Sequence, residues 1–189
     1  MNVAEVFPKT HPPACPSDGQ ALRLFCFPYA GAGGSVFHGW LNGLADHARV
    51  HPVQLPGREA RIREAPIDRL SPLVRTVCDE IAPFAEAPFA FFGYSFGALV
   101  AFEVAREMRR RGQRAPSHLF VAAHPAPQLG ARTERISVLP ETDLKHRLRT
   151  LGGTPEAVLD HPELMALLLP VVRADFAVAE TYRYNDGPP

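Results

Sequence analysis

The stretch FAFFGYSFGA at residues 89–98 decides the fold, because it joins a short apolar run to a serine with a glycine two positions away on each side. Residues 89–92 are typical of a strand buried on both faces. Residues 98–111 repeat apolar side chains at helical spacing. A sharp strand-to-helix turn between them would hold Ser95 at a strained position, as a serine nucleophile requires. The alternative is a glycine-flanked serine in an ordinary turn.

The same alternation of strand and helix extends outward from this turn. Apolar runs predict strands, and amphipathic segments predict helices between them. The predicted strands are 22–27, 50–55, 89–92 and 118–123, and the predicted helices are 36–47 (capped by Ser35), 73–86 and 98–111. This order predicts an α/β fold with an open, mostly parallel sheet and helices on both faces.

The pattern changes to helices alone at residues 140–184. The first helix should end at Gly152, a second should open near residue 154, and Asp160 with Glu163 has the spacing of a capping box for a third. Pro170 should break or kink that third helix. Helices inserted after the fourth strand predict a lid that admits the substrate; a helical subdomain that only buries surface is the alternative.

These patterns divide the chain into four parts. They are an irregular leader at 1–21, the core at 22–139, the helical lid at 140–184 and the start of a return to the core at 185–189.

Composition excludes several classes of protein. The chain has 189 residues, with 20 Lys and Arg balanced by 20 Asp and Glu, so the basic excess of a nucleic-acid binder is lacking. Its three cysteines lack paired or metal-ligand spacing, which favours a reducing compartment and predicts no metal site. No apolar run suggests a signal peptide or a membrane span. We expect a cytoplasmic protein.

The turn FPYAGAGG at residues 27–34 is a candidate half of an oxyanion hole. Acyl transfer by a serine commonly uses one amide from the residue after the nucleophile, here Phe96, and one from a loop after an earlier strand. We expect Ala30 to supply the second N–H, with Tyr29 the next choice, and Gly31 to allow close approach of the backbone. A phosphate cradle is the alternative, but the turn lacks the spacing of nucleotide-binding loops.

Five motifs together resemble one known family. They are FPYAGAGG (27–34), QLPGRE (54–59), GYSFGA (93–98), LGGTPE (151–156) and RADF with ETYRY (173–184). In this order they are similar to the type II thioesterases of polyketide and nonribosomal peptide synthesis. The resemblance implies an α/β-hydrolase that clears acyl thioesters from phosphopantetheine arms. Tyr94 stands where many members have His, and Phe96 where many have Met; both should affect packing and rate.

The base of the reaction is a separate question, because α/β-hydrolase triads follow the chain order serine, acid, histidine. After Ser95, His118 and His124 precede every aspartate, while His146 and His161 lie in the predicted lid and read as surface or capping residues. The family has its acid and histidine beyond Asp186. We therefore expect that the triad Asp and His, and the C-terminal part of the fold, are not in this chain, which would leave it nearly inactive.

By this resemblance the protein is a serine thioesterase that acts through an acyl-serine. Its partner would be an acyl or peptidyl carrier protein, with no nucleic acid, membrane or cofactor involved. The alternatives are a carboxylesterase or acyltransferase of the same fold, and a non-catalytic module that binds carrier proteins.

Arginines form two clusters that could dock an acidic carrier protein. Arg106, Arg109, Arg110 and Arg111 lie at a helix C-terminus, where they also complement the helix dipole. Arg58, Arg61 and Arg63 alternate with glutamates, which favours a solvated face.

Overall fold

The central sheet has four parallel strands in the order β2-β1-β3-β4. In the computed structural model, which describes residues 22–130 and 135–186, these are β1 (Leu22–Phe27), β2 (Ala48–Pro52), β3 (Phe89–Tyr94) and β4 (His118–Ala122). Phe25 of β1 pairs in register with His51 and with Phe91. The predicted parallel sheet is confirmed. The leader at 1–21 lies outside the described residues.

Helices cover both faces of the sheet, as the alternation of strand and helix predicted. The helices of this part are α1 (His38–Gly43), α2 (Leu70–Ile81) and α3 (Phe96–Arg110). Phe25, Phe27 and Phe91 point to the face where α2 and α3 pack. Leu24 and Cys26 point to the opposite face, against the segment that contains α1. β1 and β3 are therefore buried on both faces, which explains their continuous apolar runs, whereas the side chains of β4 are largely exposed.

The first predicted helix, 36–47, is wrong in its start, its end and its cap. Residues Gly34–Phe37 form a 3-10 turn, and the α-helix runs only over His38–Gly43. Ser35 lies inside that turn, and its hydroxyl donates to the Glu59 carboxylate instead of capping a helix. The Gly34 N–H donates to the side chain of Gln54, and the Ser35 N–H donates to that of Glu59. These distant contacts override the local capping preference.

Three further helices occupy the segment predicted to be a lid. They are α4 (Glu141–Leu151), α5 (Glu156–Leu159) and α6 (Pro162–Thr181), and they share an apolar core of Ile136, Leu144, Leu148, Leu159, Met165 and Val172. Gly152 ends α4 in the left-handed conformation at φ 70°, as predicted.

Two details of the lid prediction are wrong. Asp160 does not cap α6, whose N-cap is His161; the Asp160 carboxylate instead accepts from Arg149 at 2.6 Å. The predicted break at Pro170 is wrong, because α6 continues from Pro162 to Thr181, while a kink there stays a prediction. Met165 and Val172, on either side of Pro170, are buried in the core of the three helices. The stability gained from that packing offsets the loss of the backbone hydrogen bond that a proline removes from a helix.

None of the helices in the described ranges is long and apolar enough to cross a membrane.

Candidate functional site

Ser95 sits in a strained turn between β3 and α3. Its backbone has φ 54° and ψ −119°, a conformation that side-chain-bearing residues rarely adopt and that costs on the order of 1–3 kcal/mol. Its N–H donates to the Ala122 carbonyl of β4 at 2.8 Å, and its carbonyl accepts from the Ala98 N–H at 2.9 Å. Both backbone groups are thus held, and the side chain projects from the end of the strand. This is the geometry that the motif predicted.

The two flanking glycines are required by close packing. A Cβ on Gly93 would lie 2.5 Å from the Ala98 Cα, and one on Gly97 would lie 2.1 Å from the Phe27 carbonyl oxygen. Gly97 contacts the end of β1. The serine turn (residues 93–97) therefore packs directly against the turn that follows β1. The glycine spacing therefore brings both halves of the candidate site together.

The predicted oxyanion donors lie beside this serine. Phe96 is the first residue of α3, so its N–H has no partner within the helix and lies at the positive end of the helix dipole. Ala30 lies in the turn after β1, and its N–H has no acceptor among the described residues. Both residues line the same cavity as Ser95.

Other amides of this turn are already engaged. The Gly31 N–H donates to the Asp175 carboxylate at 2.8 Å, and the Ala32 N–H donates to the Tyr29 carbonyl at 3.0 Å. Gly31 has φ 80°, so it supplies the conformation that the turn needs rather than a free amide. Tyr29 lines the cavity, and its ring meets that of Tyr94 edge to face with centroids 6.0 Å apart. The hydrogen bonds thus exclude Gly31 and Ala32 as donors and leave the N–H groups of Ala30 and Tyr29, the two expected from the sequence, without an acceptor among the described residues.

The turn after β1 is anchored by buried polar side chains from distant segments. We name residues 28–34 the oxyanion loop. Gln54 is fully buried and accepts from the Gly34 N–H at 2.9 Å. Arg58 Nη1 donates to the Ala32 carbonyl at 3.1 Å and to Asp175 Oδ2 at 2.7 Å. The motifs around residues 54–59 and 173–176 therefore meet at this loop.

A cavity of about 540 Å³ opens above Ser95, a size usual for small-molecule sites. Its floor is the serine turn and the oxyanion loop. The lid segment forms the opposite wall, with Leu148 and Leu151 from α4 and Phe176 and Glu180 from α6. Aromatic and aliphatic side chains dominate this wall. The predicted lid segment thus faces the predicted nucleophile.

Two polar residues of the cavity were not assigned to the site from the sequence. His124 follows β4 and lines the cavity, with its Nδ1 2.8 Å from the Pro125 carbonyl. Glu180 also lines it, and its carboxylate accepts from the Ser137 N–H at 2.9 Å. Chain order gives His124 no triad role, because it precedes every aspartate that follows Ser95. The pairing of β3 with β4 indicates the position of His124, because Ala122 pairs with Tyr94, the residue directly before Ser95.

The remaining acidic and histidine residues form no triad among the described residues after Ser95. His118, His146 and His161 are exposed, as predicted for the latter two. Asp175 is buried against Arg58, and Asp160 pairs with Arg149. No histidine of this part of the chain hydrogen-bonds to a carboxylate. In the same described ranges, no three His, Cys, Asp or Glu side chains gather as a metal site.

The prediction of a solvated face for Arg58 and Arg61 is wrong. Their exposed fractions are 5% and 3%, because each guanidinium is enclosed by carboxylates and backbone carbonyls. The alternation of arginine and glutamate in the sequence does not reveal this burial, because Arg58 pairs with Asp175 and Arg61 with Glu80, both far along the chain. At the other cluster, Arg106, Arg110 and Arg111 form ion pairs with the glutamates at 103 and 107. Docking there stays a prediction.

Comparison with known proteins identifies the fold and the family. The family model described as a thioesterase domain matches residues 22–189. The gramicidin S biosynthesis protein GrsT of Aneurinibacillus migulanus is 45% identical over 168 residues, which are 89% of this chain and 66% of GrsT. The chain thus spans about two thirds of that relative.

Solved structures agree with this assignment. The RedJ thioesterase of the prodiginine pathway in Streptomyces coelicolor aligns with a TM-score of 0.84 and 38% identity, over 100% of this chain and 76% of RedJ. BorB, a type II thioesterase from the borrelidin cluster, aligns at 0.80 with 36% identity, over 92% of this chain and 70% of BorB. The α/β-hydrolase fold predicted from the sequence is confirmed. The chain belongs to the thioesterase family, and its resemblance to the type II thioesterases is confirmed.

Proposed function

We propose that the protein hydrolyses acyl thioesters on the phosphopantetheine arms of acyl or peptidyl carrier proteins, as an editing enzyme of polyketide or nonribosomal peptide synthesis. One observation carries the proposal: Ser95 occupies a strained turn in a cavity that it shares with the Ala30 and Phe96 amides. The names of the relatives GrsT, RedJ and BorB, all tied to natural-product pathways, support the substrate class.

The reaction would proceed through an acyl-serine. Ser95 Oγ attacks the thioester carbon and gives its proton to a base, while the Ala30 and Phe96 N–H groups bind the oxyanion. The C–S bond then breaks, and the pantetheine thiol leaves with the proton. Water attacks the acyl-serine in the same way, which releases the carboxylic acid and regenerates Ser95. The chemistry needs a nucleophile, a base and fixed dipoles.

The base is a histidine in this proposal. The described residues after Ser95 offer no Asp–His pair at the cavity, so we assign the base to a histidine outside them. The described residues by themselves would then give only the residual catalysis of oxyanion donors and binding, about 10³–10⁴ over water. The lid helices would admit the arm above the serine.

We also propose a reducing, cytoplasmic location. Cys26 and Cys78 are buried free thiols, and burial raises the pKa of Cys26 to about 12 and that of Cys78 to about 11. Such thiols are poor nucleophiles and fill the core.

Paired substrates test the function. The protein, in a form that includes the histidine base, is given an acyl thioester on a carrier protein and the matching oxygen ester, with Ser95→Ala as the control. We expect the thioester to be preferred and Ser95→Ala to lower the rate by about 10⁴-fold or more while the protein stays folded. Preference for the oxygen ester would instead indicate a carboxylesterase. Carrier binding without any turnover would indicate a non-catalytic module.

A further inference from the structure

We propose that Asp175 is a positioning residue for this reaction: paired with Arg58, its carboxylate fixes the Ala30 amide at the oxyanion site and ties it to helix α6. The inference rests on the function proposed above. It starts from the ion pair itself, in which Arg58 and Asp175 form two hydrogen bonds of 2.7 and 2.9 Å. Their exposed fractions are 5% and 1%. Buried ion pairs are often no more stabilising than apolar residues of the same volume, so this one calls for a further role.

The contacts of the pair lead to the oxyanion loop. Asp175 Oδ2 accepts from the Gly31 N–H at 2.8 Å, and Arg58 Nη1 donates to the Ala32 carbonyl at 3.1 Å. The Gly31 N–H belongs to the peptide plane that begins at Ala30. Because that plane is rigid, holding the Gly31 nitrogen fixes one of the two peptide planes that meet at the Ala30 Cα. The Ala30 N–H lies in the other plane, and only the φ and ψ rotations of Ala30 separate the two.

The pair also decides which amide remains available. The carboxylate occupies the Gly31 N–H, so an oxyanion cannot use it. An unpaired Asp175 carboxylate would raise the energy of an oxyanion that forms beside it. The Arg58 guanidinium, bound through two hydrogen bonds, neutralises the charge of this carboxylate. The result is a loop in which the Ala30 N–H stays uncommitted next to a compensated charge, which suits oxyanion binding there.

Helix α6 makes a second contact with the same point of the loop. A Cβ on Gly31 would lie 2.8 Å from Val172 Cγ2, one turn of α6 before Asp175. Phe176 and Glu180, further along the helix, line the cavity. One helix therefore forms a wall of the cavity and anchors the oxyanion loop, so the two are mechanically joined.

Asp175→Asn is the direct test, because it keeps the side-chain volume and removes the charge. Steady-state hydrolysis of an acyl carrier-protein thioester gives kcat and KM for each variant, with thermal unfolding as the check of folding. We expect kcat to fall about 10- to 100-fold, less than the 10²–10³ of losing an oxyanion donor outright, and KM to stay within about threefold. Asp175→Glu keeps the charge and should recover part of kcat.

Glu80→Gln is the matched control. Glu80 pairs with Arg61 at 3.0 Å, and the two side chains are 8% and 2% exposed. Among the described hydrogen bonds and ion pairs, Glu80 has no contact with the oxyanion loop. This variant should lower the melting temperature as a broken buried pair does, yet leave kcat within about threefold.

If Asp175→Asn does not fold, Arg58→Lys replaces it, because lysine keeps the charge but cannot form the fork. A folded variant of either kind with unchanged kcat overturns the positioning role, and so does a fall in kcat that Glu80→Gln reproduces. These results leave the proposed function intact if wild type turns over and Ser95→Ala does not. Absence of Ser95-dependent turnover in wild type overturns the function and the positioning role with it.

Discussion

The two halves of the site, the serine turn and the oxyanion loop, are held in place by opposite means. The serine turn is fixed by contacts within residues 93–98 and with the ends of neighbouring strands. The oxyanion loop is fixed by Gln54, Arg58 and Asp175, and the Gly31 contact spans 144 positions of the chain. Local steric rules therefore set one half, and long-range polar contacts set the other.

The largest effect is expected from Gly97→Ala, which would break both halves at once. The added Cβ would lie 2.1 Å from the Phe27 carbonyl oxygen and 2.6 Å from that of Pro28, so backbone must move. We expect a loss of at least about 3 kcal/mol in unfolding free energy and no measurable turnover. Denaturant unfolding and the thioester assay check this. Gly39→Ala is the control, since a Cβ there meets nothing within 4 Å.

This contrast explains how much could be predicted from the sequence. The serine turn, the parallel sheet and the end of α4 at Gly152 each follow from glycine spacing or apolar periodicity over a few residues. The predicted solvated face of Arg58 and Arg61 is wrong, because their partners Asp175 and Glu80 are brought close only by the fold. The predicted caps at Ser35 and Asp160 are wrong for the same reason, since Ser35 hydrogen-bonds to Glu59 and Asp160 to Arg149 instead.

A smaller effect is expected from Gln54→Leu, which loosens one end of the oxyanion loop and leaves the serine turn untouched. The substitution removes the acceptor of the Gly34 N–H and the donor to the Arg58 carbonyl, both at 2.9 Å. Two buried backbone groups lose their partners, so we expect a cost of about 2–4 kcal/mol. Thermal unfolding should show the loss, whereas the exposed Gln128→Leu should not. Equal melting temperatures for the two variants would contradict the anchoring described here.

Hydrogen exchange separates the two halves by their stability. The Gly31 N–H depends on Asp175 of α6, and lids come from the low-stability end of proteins. We expect the amides of Gly31 and α6 to exchange at similar rates, both faster than those of β3. Exchange at Gly31 as slow as in β3 would indicate that the loop belongs to the sheet. Uniform protection of α6 and β3 would argue against a mobile lid.

An effect that appears only at acid pH concerns the sheet beneath both halves. His51 of β2 stacks on Phe25, and burial, with the charges of Arg23 and Arg49, lowers its pKa from 6.5 to about 4. Between these values the unfolded chain binds the proton and the folded chain does not. Stability should therefore fall as the pH drops from about 6.5 to 4, by at most about 1.4 kcal/mol per pH unit. His51→Phe should flatten this dependence in urea titrations; an unchanged slope would mean that other groups cause it.

The central claim is that Ser95 is the nucleophile, and covalent labelling tests it most directly. The protein is treated with an alkyl fluorophosphonate, and the modified residue is identified by peptide mass spectrometry. We expect one phosphonate per molecule, on Ser95, and none on Ser95→Ala. Labelling of another residue, or unchanged labelling of Ser95→Ala, would contradict the account.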